Sequence, residues 1–255
     1  MSKEALKRVI IPMDCLRFFE IPATFKELKP SDHDRIFDLS SPKLLSLLLA
    51  EKYNVRVVAT DIWKEEIAAW GKIRQGINNR KINKNLSLKV VDGRKLKYRS
   101  NYFDKIYSIS VIEHIEGDGD TKSIRELARV LKPGGTLVVT VPLGEKYSER
   151  WVNRDVYSMK YDGKAMLDYR RYDFATLKRR IINPSGLFLE KKIIVKERYP
   201  IIDKWYKSFF PVSALFGLTF PILAKITLKA EREKGEVSCI LLVLKKLKSN
   251  REKSK

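Results

Sequence analysis

Short apolar blocks alternate along this chain with stretches in which apolar residues return every third or fourth position, from about residue 36 to residue 141. The blocks at 36–39, 55–60, 86–91, 105–112 and 136–141 are rich in Ile, Val, Leu and Phe and predict short buried strands. Between them, 44–53, 62–82 and 121–131 carry helical spacing. In the last of these Ile124, Leu127, Ala128 and Leu131 share one face, and Lys132-Pro133-Gly134-Gly135 predicts a sharp stop. The helix over 62–82 is expected to fray around Gly76 and the Asn78-Asn79 pair. Strands and helices alternating at this spacing predict an α/β chain with a doubly wound, mostly parallel sheet.

In such sheets ligands sit beyond the carboxyl ends of the strands, and Ser40, Asp61, Asp92 and Ser108 all fall there. The first strand, Ile36-Phe37-Asp38-Leu39, runs straight into Ser40-Ser41-Pro42-Lys43. The serines suit a helix cap, and Pro42 suits a first helical position because it has no N–H to satisfy. A strand entering a helix through so tight a turn leaves N–H groups aimed outward, a natural seat for an anion or cofactor.

The flanks are less regular. Residues 1–33, punctuated by Pro12, Pro22 and Pro30, predict an arm or short helices packed on a main domain over 34–246. An insertion over 142–172 interleaves Tyr147, Trp151, Tyr157, Tyr161, Tyr169 and Tyr172 with seven Lys and Arg residues. It reads as an acceptor pocket, a lid over a satellite core, or a surface that stacks bases. Asp173 is placed to cap a helix over 174–182, followed by strands at 187–195 and 237–244. Within an insertion over 199–234, residues 208–224 are uncharged and flanked by Lys204, Trp205, Tyr206, Lys207, Lys225 and Lys229. Pro211, Gly217 and Pro221 argue against a full membrane crossing. The alternatives are a peripheral membrane contact, a cap over a substrate pocket, or a subunit contact. Residues 247–255 form a charged tail.

Composition adds bounds. With 255 residues and 44% hydrophobic content the chain can bury a large core. A net charge of +21 suits nucleic acid, anionic lipid or an acidic substrate as partner. Two cysteines without ligand-like spacing suggest neither a disulfide framework nor a metal site. The apolar run near the N-terminus is too short for the core of a signal peptide, so a cytoplasmic location is expected, with a peripheral membrane contact as its variant.

Two stretches carry a family resemblance: Phe103-Asp104-Lys105-Ile106-Tyr107-Ser108 with Val111-Ile112-Glu113-His114-Ile115, and the run Glu126-Leu127-Ala128-Arg129-Val130-Leu131-Lys132-Pro133-Gly134-Gly135-Thr136-Leu137. With the strand order around them, the chain resembles the class I S-adenosylmethionine-dependent methyltransferases, in particular their small-molecule and lipid subgroup. The resemblance implies a seven-stranded Rossmann-like sheet with the last strand antiparallel, and S-adenosylmethionine as cofactor. It assigns the ribose hydroxyls to Asp61, with Ile62 beside it, and the adenine to Asp92 and Gly93. Ser108 and Ile109 would line the cofactor from the fourth strand, and Asp38, Ser40 and Ser41 would form the first turn. A carboxylate suits the ribose because it accepts two hydroxyl protons at once.

One departure stands out. The family's first turn is glycine-rich, whereas Asp38-Leu39-Ser40-Ser41-Pro42-Lys43 contains no glycine. Either the Ser40 and Ser41 hydroxyls, the helix N-terminus and Lys43 hold the cofactor's carboxylate, or the pocket is closed and the fold is reused for binding. Methyl transfer from a sulfonium is a displacement that needs alignment more than a nucleophile triad. His114 is the candidate base, with a packed, purely structural histidine as its alternative. Three readings follow: a methyltransferase for a hydrophobic or membrane-associated small molecule, a silent methyltransferase-like module that binds a membrane or partner, and an RNA or DNA methyltransferase. Oligomeric state is not legible.

Overall fold

Five parallel strands form the centre of the protein in a computed structural model that describes residues 16–156, 159–197, 228–230 and 236–248. They are β1 (Arg35–Asp38), β2 (Arg56–Asp61), β3 (Leu86–Val90), β4 (Phe103–Ile109) and β5 (Leu131–Pro142). Two long strands, β8 (Phe188–Glu197) and β10 (Glu236–Lys245), extend the sheet, and a three-residue strand, β9 (Leu228–Ala230), lies on its far edge. The order is β3-β2-β1-β4-β5-β10-β8-β9, with β10 antiparallel to both neighbours. The seven expected strands are therefore present with the last antiparallel, and β9 is an added edge.

Because side chains alternate across a strand, neighbouring residues of β1 serve opposite layers. Phe37 packs with Ile106, Val139 and Ile240 on one face, and Ile36 packs with Val57, Tyr107 and Val138 on the other. Both faces are covered, which is why the central strands read as continuous apolar runs. The helices are α1 (Arg17–Leu28), α2 (Leu44–Lys52), α3 (Lys64–Ile77), α4 (Arg80–Asn85), α5 (Gly119–Val130), α6 (Phe174–Leu177) and α7 (Asn183–Ser185). A π-helical stretch, Lys178–Ile182, joins α6 to α7.

Several expectations shift. The single helix over 62–82 is two helices, because Asn78 turns left-handed and the Asn79 side chain accepts the N–H groups of Lys81 and Ile82, starting a second helix. Neither serine of the first turn caps α2; Lys43 stands at that position without a side-chain cap bond. The helix over 121–131 does stop sharply, at Val130, but β5 starts at Leu131 rather than 136, and a β-bulge lets Leu131 pair with Phe103 and Thr136 with Lys105. Gly135 is required there, since a Cβ would lie 2.9 Å from the Asp104 carbonyl oxygen. The arm over 1–33 contains the 12-residue α1; residues 1–15 lie outside the described residues. Asp173 does cap α6, accepting the Thr176 N–H at 2.7 Å. The insertion forms a hairpin, β6 (Ser148–Val152) and β7 (Met166–Arg171). Tyr157 and residues 208–224 lie outside the described residues.

Candidate active site

The first turn is built around a buried acid. Asp38, fully buried at the tip of β1, accepts the Ser41 N–H at 2.9 Å and the Ser46 hydroxyl at 2.7 Å. Lys43, 2% exposed, lies 3.5 Å from the same carboxylate and donates to the Ser41 carbonyl at 2.5 Å. Burial pushes the Asp38 carboxyl up, and Lys43 and the Ser46 and Ser41 donors oppose it. Asp38 thus organises the turn from beneath. The Ser41 hydroxyl faces inward as well, accepting the Ile109 N–H at 2.8 Å and donating to the Leu39 carbonyl at 3.3 Å. These bonds occupy the Ser41 hydroxyl and the Ile109 amide, and Ile109 turns its side chain into the core shared with Tyr107.

Ser40 replaces the missing glycine in conformation. Its φ of +52° is the left-handed region that glycine enters freely and that strains other residues by about 1–3 kcal/mol. Ser110, just past the neighbouring strand β4, is left-handed too, with φ +47°. Adjacent strand tips therefore both turn through strained serines, the kind of backbone that persists where surrounding packing fixes a functional loop.

Asp61 ends β2, half-buried, and its Oδ1 accepts the Trp63 N–H at 3.0 Å. Burial raises its pKa, against the Trp63 bond and the nearby Lys43 charge. Ile62 beside it is 43% exposed. Asp92 follows β3, the next strand, where the Val91 N–H bonds to the Asp61 carbonyl at 2.8 Å. Its carboxylate is forked by Arg94, with Nη2 at 2.8 Å, which holds its pKa below the ordinary range. Gly93 is buried against Leu39; an added Cβ would lie 2.7 Å from Leu39 Cδ1. Ser108 is fully buried, and its hydroxyl finds no hydrogen-bond partner among the described residues. Asp38, Ser40, Asp61, Asp92 and Ser108 therefore share the carboxyl edge of four neighbouring strands.

A second group at that edge was not legible beforehand. Glu20 of α1, fully buried, accepts the Ser110 hydroxyl at 2.6 Å, the Thr140 hydroxyl at 2.7 Å and the Arg17 guanidinium. Glu113, on a 3-10 turn (Ile112–His114), is 1% exposed with Oε2 lacking a partner among the described residues. His114 hydrogen-bonds through Nδ1 to the Asp168 carbonyl of β7; a carbonyl only accepts, so the proton sits on Nδ1. Nε2 then lies 3.6 Å from Glu113 Oε1. Burial keeps the imidazole below its ordinary pKa and so neutral at pH 7. Glu20 sits 90 residues from Ser110 in sequence, and no local pattern pairs them.

Burial raises the Glu113 carboxyl to about 8. The unfolded chain releases that proton near ~4.3, so the stabilisation is complete below that value and is lost as pH climbs through about 8. Glu113→Gln is expected to flatten this decline, measured as urea midpoints at pH 5.5 and 8.5. An unchanged slope would show that Glu113 is ionised in the fold.

Residues 40–139 match the family model described as "Methyltransferase domain". A tRNA (carboxymethyluridine(34)-5-O)-methyltransferase of Arabidopsis thaliana is 37% identical over 79 residues, 25% of this chain and 20% of that protein. Norajmaline N-methyltransferase of Rauvolfia serpentina is 29% identical over 120 residues, 47% of this chain and 37% of that protein. The chain therefore spans well under half the length of these relatives. Among solved structures, geranyl diphosphate C-methyltransferase of Streptomyces coelicolor, in complex with Mg2+, geranyl diphosphate and S-adenosyl-L-homocysteine, superposes with a TM-score of 0.58 at 10% identity. That match covers 90% of this chain and 77% of that one, a likeness of fold.

Proposed function

We propose, from the premise that residues 40–139 form a methyltransferase domain of the class I fold, that this chain is an S-adenosylmethionine-dependent methyltransferase. The observation that carries the reading is that the matched stretch begins at the left-handed Ser40 turn and takes in Asp61, Asp92, Gly93 and Ser108, all at one sheet edge. The donor set fits the cofactor: Asp61 Oδ2 bears no hydrogen bond among the described residues and can accept from the ribose. The unsatisfied Ser108 hydroxyl suits a polar ligand atom above β4. Asp92, held by Arg94, and Ile62 would flank the adenine. The bound cofactor supplies an electrophilic methyl group on a sulfonium centre.

His114 would take the acceptor's proton on Nε2, since its Nδ1 is committed to Asp168 and the ring is neutral at pH 7. Lys43 would lend positive charge beneath the turn in place of glycine amides. The acceptor we favour is a hydrophobic or membrane-associated small molecule, a reading that rests on the apolar stretch at 208–224. No helix among the described residues is long and apolar enough to cross a membrane. An RNA acceptor is a second reading, favoured by the likeness to the Arabidopsis tRNA enzyme and by Arg150, Trp151 and Arg154 exposed on and beside β6.

Calorimetric titration with S-adenosylmethionine tests the premise, and absence of binding at saturating donor removes it. For the base, His114→Ala is expected to lower kcat by about 10²–10⁴ while donor affinity stays within twofold. Equal kcat in both proteins would assign His114 a packing role.

A further inference from the structure

The opposite, amino edge of the sheet carries its own cavity. Arg35, Arg56, Leu86 and Phe103 are the first residues of β1, β2, β3 and β4, and all four line one cleft of about 380 Å³. Lys84, Lys89 and Tyr102 line it too, and among the described residues no acidic one does. Its volume lies in the range of small-ligand sites. Its Arg56 end lies a β2-length from Asp61, roughly 17 Å at about 3.3 Å per residue, and its other end reaches Lys89, in register with Thr60.

Among the described residues none of Arg35, Arg56, Lys84 and Lys89 forms an ion pair. Two acids stand at this edge outside the cleft: Asp104, whose Oδ2 accepts the Arg35 backbone N–H at 2.9 Å and whose Oδ1 accepts Lys132, and Asp34, whose Oδ2 accepts the Ser31 N–H at 2.8 Å. Aromatic rings hold two of the charges in place. The Arg35 guanidinium lies 4.8 Å over the Tyr102 ring, Tyr102 stacks on Tyr98 at 5.8 Å, and Lys89 Nζ lies 5.6 Å over Tyr98. Like charges gathered around a concave, acid-free surface raise the local positive potential and concentrate anions. A single carboxylate would neutralise one of the four, whereas a chain of phosphates meets several at once.

We propose that this cleft binds phosphates, taking either the phosphate chain of a free nucleotide or the phosphodiester backbone of an RNA strand. The site is independent of methyl-donor binding, which belongs to the other edge.

The test uses the full chain with two probes, ATP by calorimetry and a labelled single-stranded RNA by fluorescence anisotropy, across a salt series. The variant is Arg56→Glu with Lys84→Glu, both exposed residues. Lys72→Glu with Lys146→Glu, exposed and outside the cleft, is the control of equal net charge. The cleft variant is expected to lose tenfold or more in affinity, and its RNA salt slope is expected to fall by about 1.4, at about 0.7 per neutralised charge. The control should change little. Tighter binding of ATP assigns the site to a free nucleotide, and tighter binding of RNA assigns it to a strand. Equal losses in cleft and control variants, or no binding of either probe by the wild type, overturn the proposal. S-adenosylmethionine binding, measured in the same proteins, is expected to be unchanged, which separates failure here from failure of the methyltransferase reading.

Discussion

Asp61→Ala is expected to weaken S-adenosylmethionine binding by at least about 100-fold while the thermal midpoint moves little. The carboxylate ends β2 half-buried, and among the described residues its only hydrogen bond is with the Trp63 N–H at 3.0 Å. Losing that turn bond costs the fold about 1 kcal/mol. Two hydroxyls donating to a charged acceptor contribute about 1.5–3 kcal/mol each, so removing both costs about 3 kcal/mol or more, or ~150-fold. Asp61→Asn separates charge from shape, because the amide still accepts one hydroxyl and is expected to fall between alanine and wild type. Calorimetry on all three proteins reads the series, and undiminished binding by the alanine variant would move the donor away from the tip of β2.

Asp120→Ala is expected to destabilise the protein by about 3–5 kcal/mol, the range for breaking a buried ion pair by removing one partner. Asp120 is fully buried at the start of α5, where it joins three segments. Its Oδ2 accepts the Tyr172 hydroxyl and Arg180 Nε, each at 2.8 Å, and its Oδ1 accepts Arg180 Nη2 and the Thr121 N–H, each at 2.7 Å. Without the carboxylate the buried Tyr172 hydroxyl is orphaned, and Arg180 retains only its bond to the Gly117 carbonyl. Because the Arg180 side chain is 21% exposed, water recovers part of its loss and places the effect toward the lower end. At about 2–4 °C per kcal/mol for a chain of this size, the melting temperature should fall by roughly 6–12 °C. A fall below about 2 °C in differential scanning calorimetry would mean that this network does not anchor the region after β7.

Much of the scaffold was legible because burial on both faces forces the central strands to be short apolar runs and leaves polar residues at their tips. Ile36-Phe37, Val57-Val58 and Val138-Val139 announce strands whatever surrounds them. The positions of Asp61 and Asp92 follow from chain order, since a strand's last residue is at the carboxyl edge of a parallel sheet. The break at Asn78-Asn79 was visible as a weak point, though two asparagines cannot say whether a helix frays or restarts. The first turn is legible as glycine-free, but the inward course of the Ser41 hydroxyl, and that neither serine caps α2, are not. A serine hydroxyl bonds whichever partner is nearest, and for Ser41 that partner is the amide of Ile109, 68 residues away.

Sequence alone determined where the central strands lie along the chain, that they run mostly parallel, and which acids stand at their ends, because these follow from local periodicity and from the alternation of strands with helices. Tertiary structure decided the rest: that Ser40 adopts a glycine's conformation, that Lys43 is buried on Asp38, that Glu20 reaches Ser110 and Thr140, and that the Asp168 carbonyl fixes the His114 tautomer. These are bonds between groups far apart in the chain, chosen by desolvation. A buried polar atom must find a partner, and which one it meets is set by how the layers close around it.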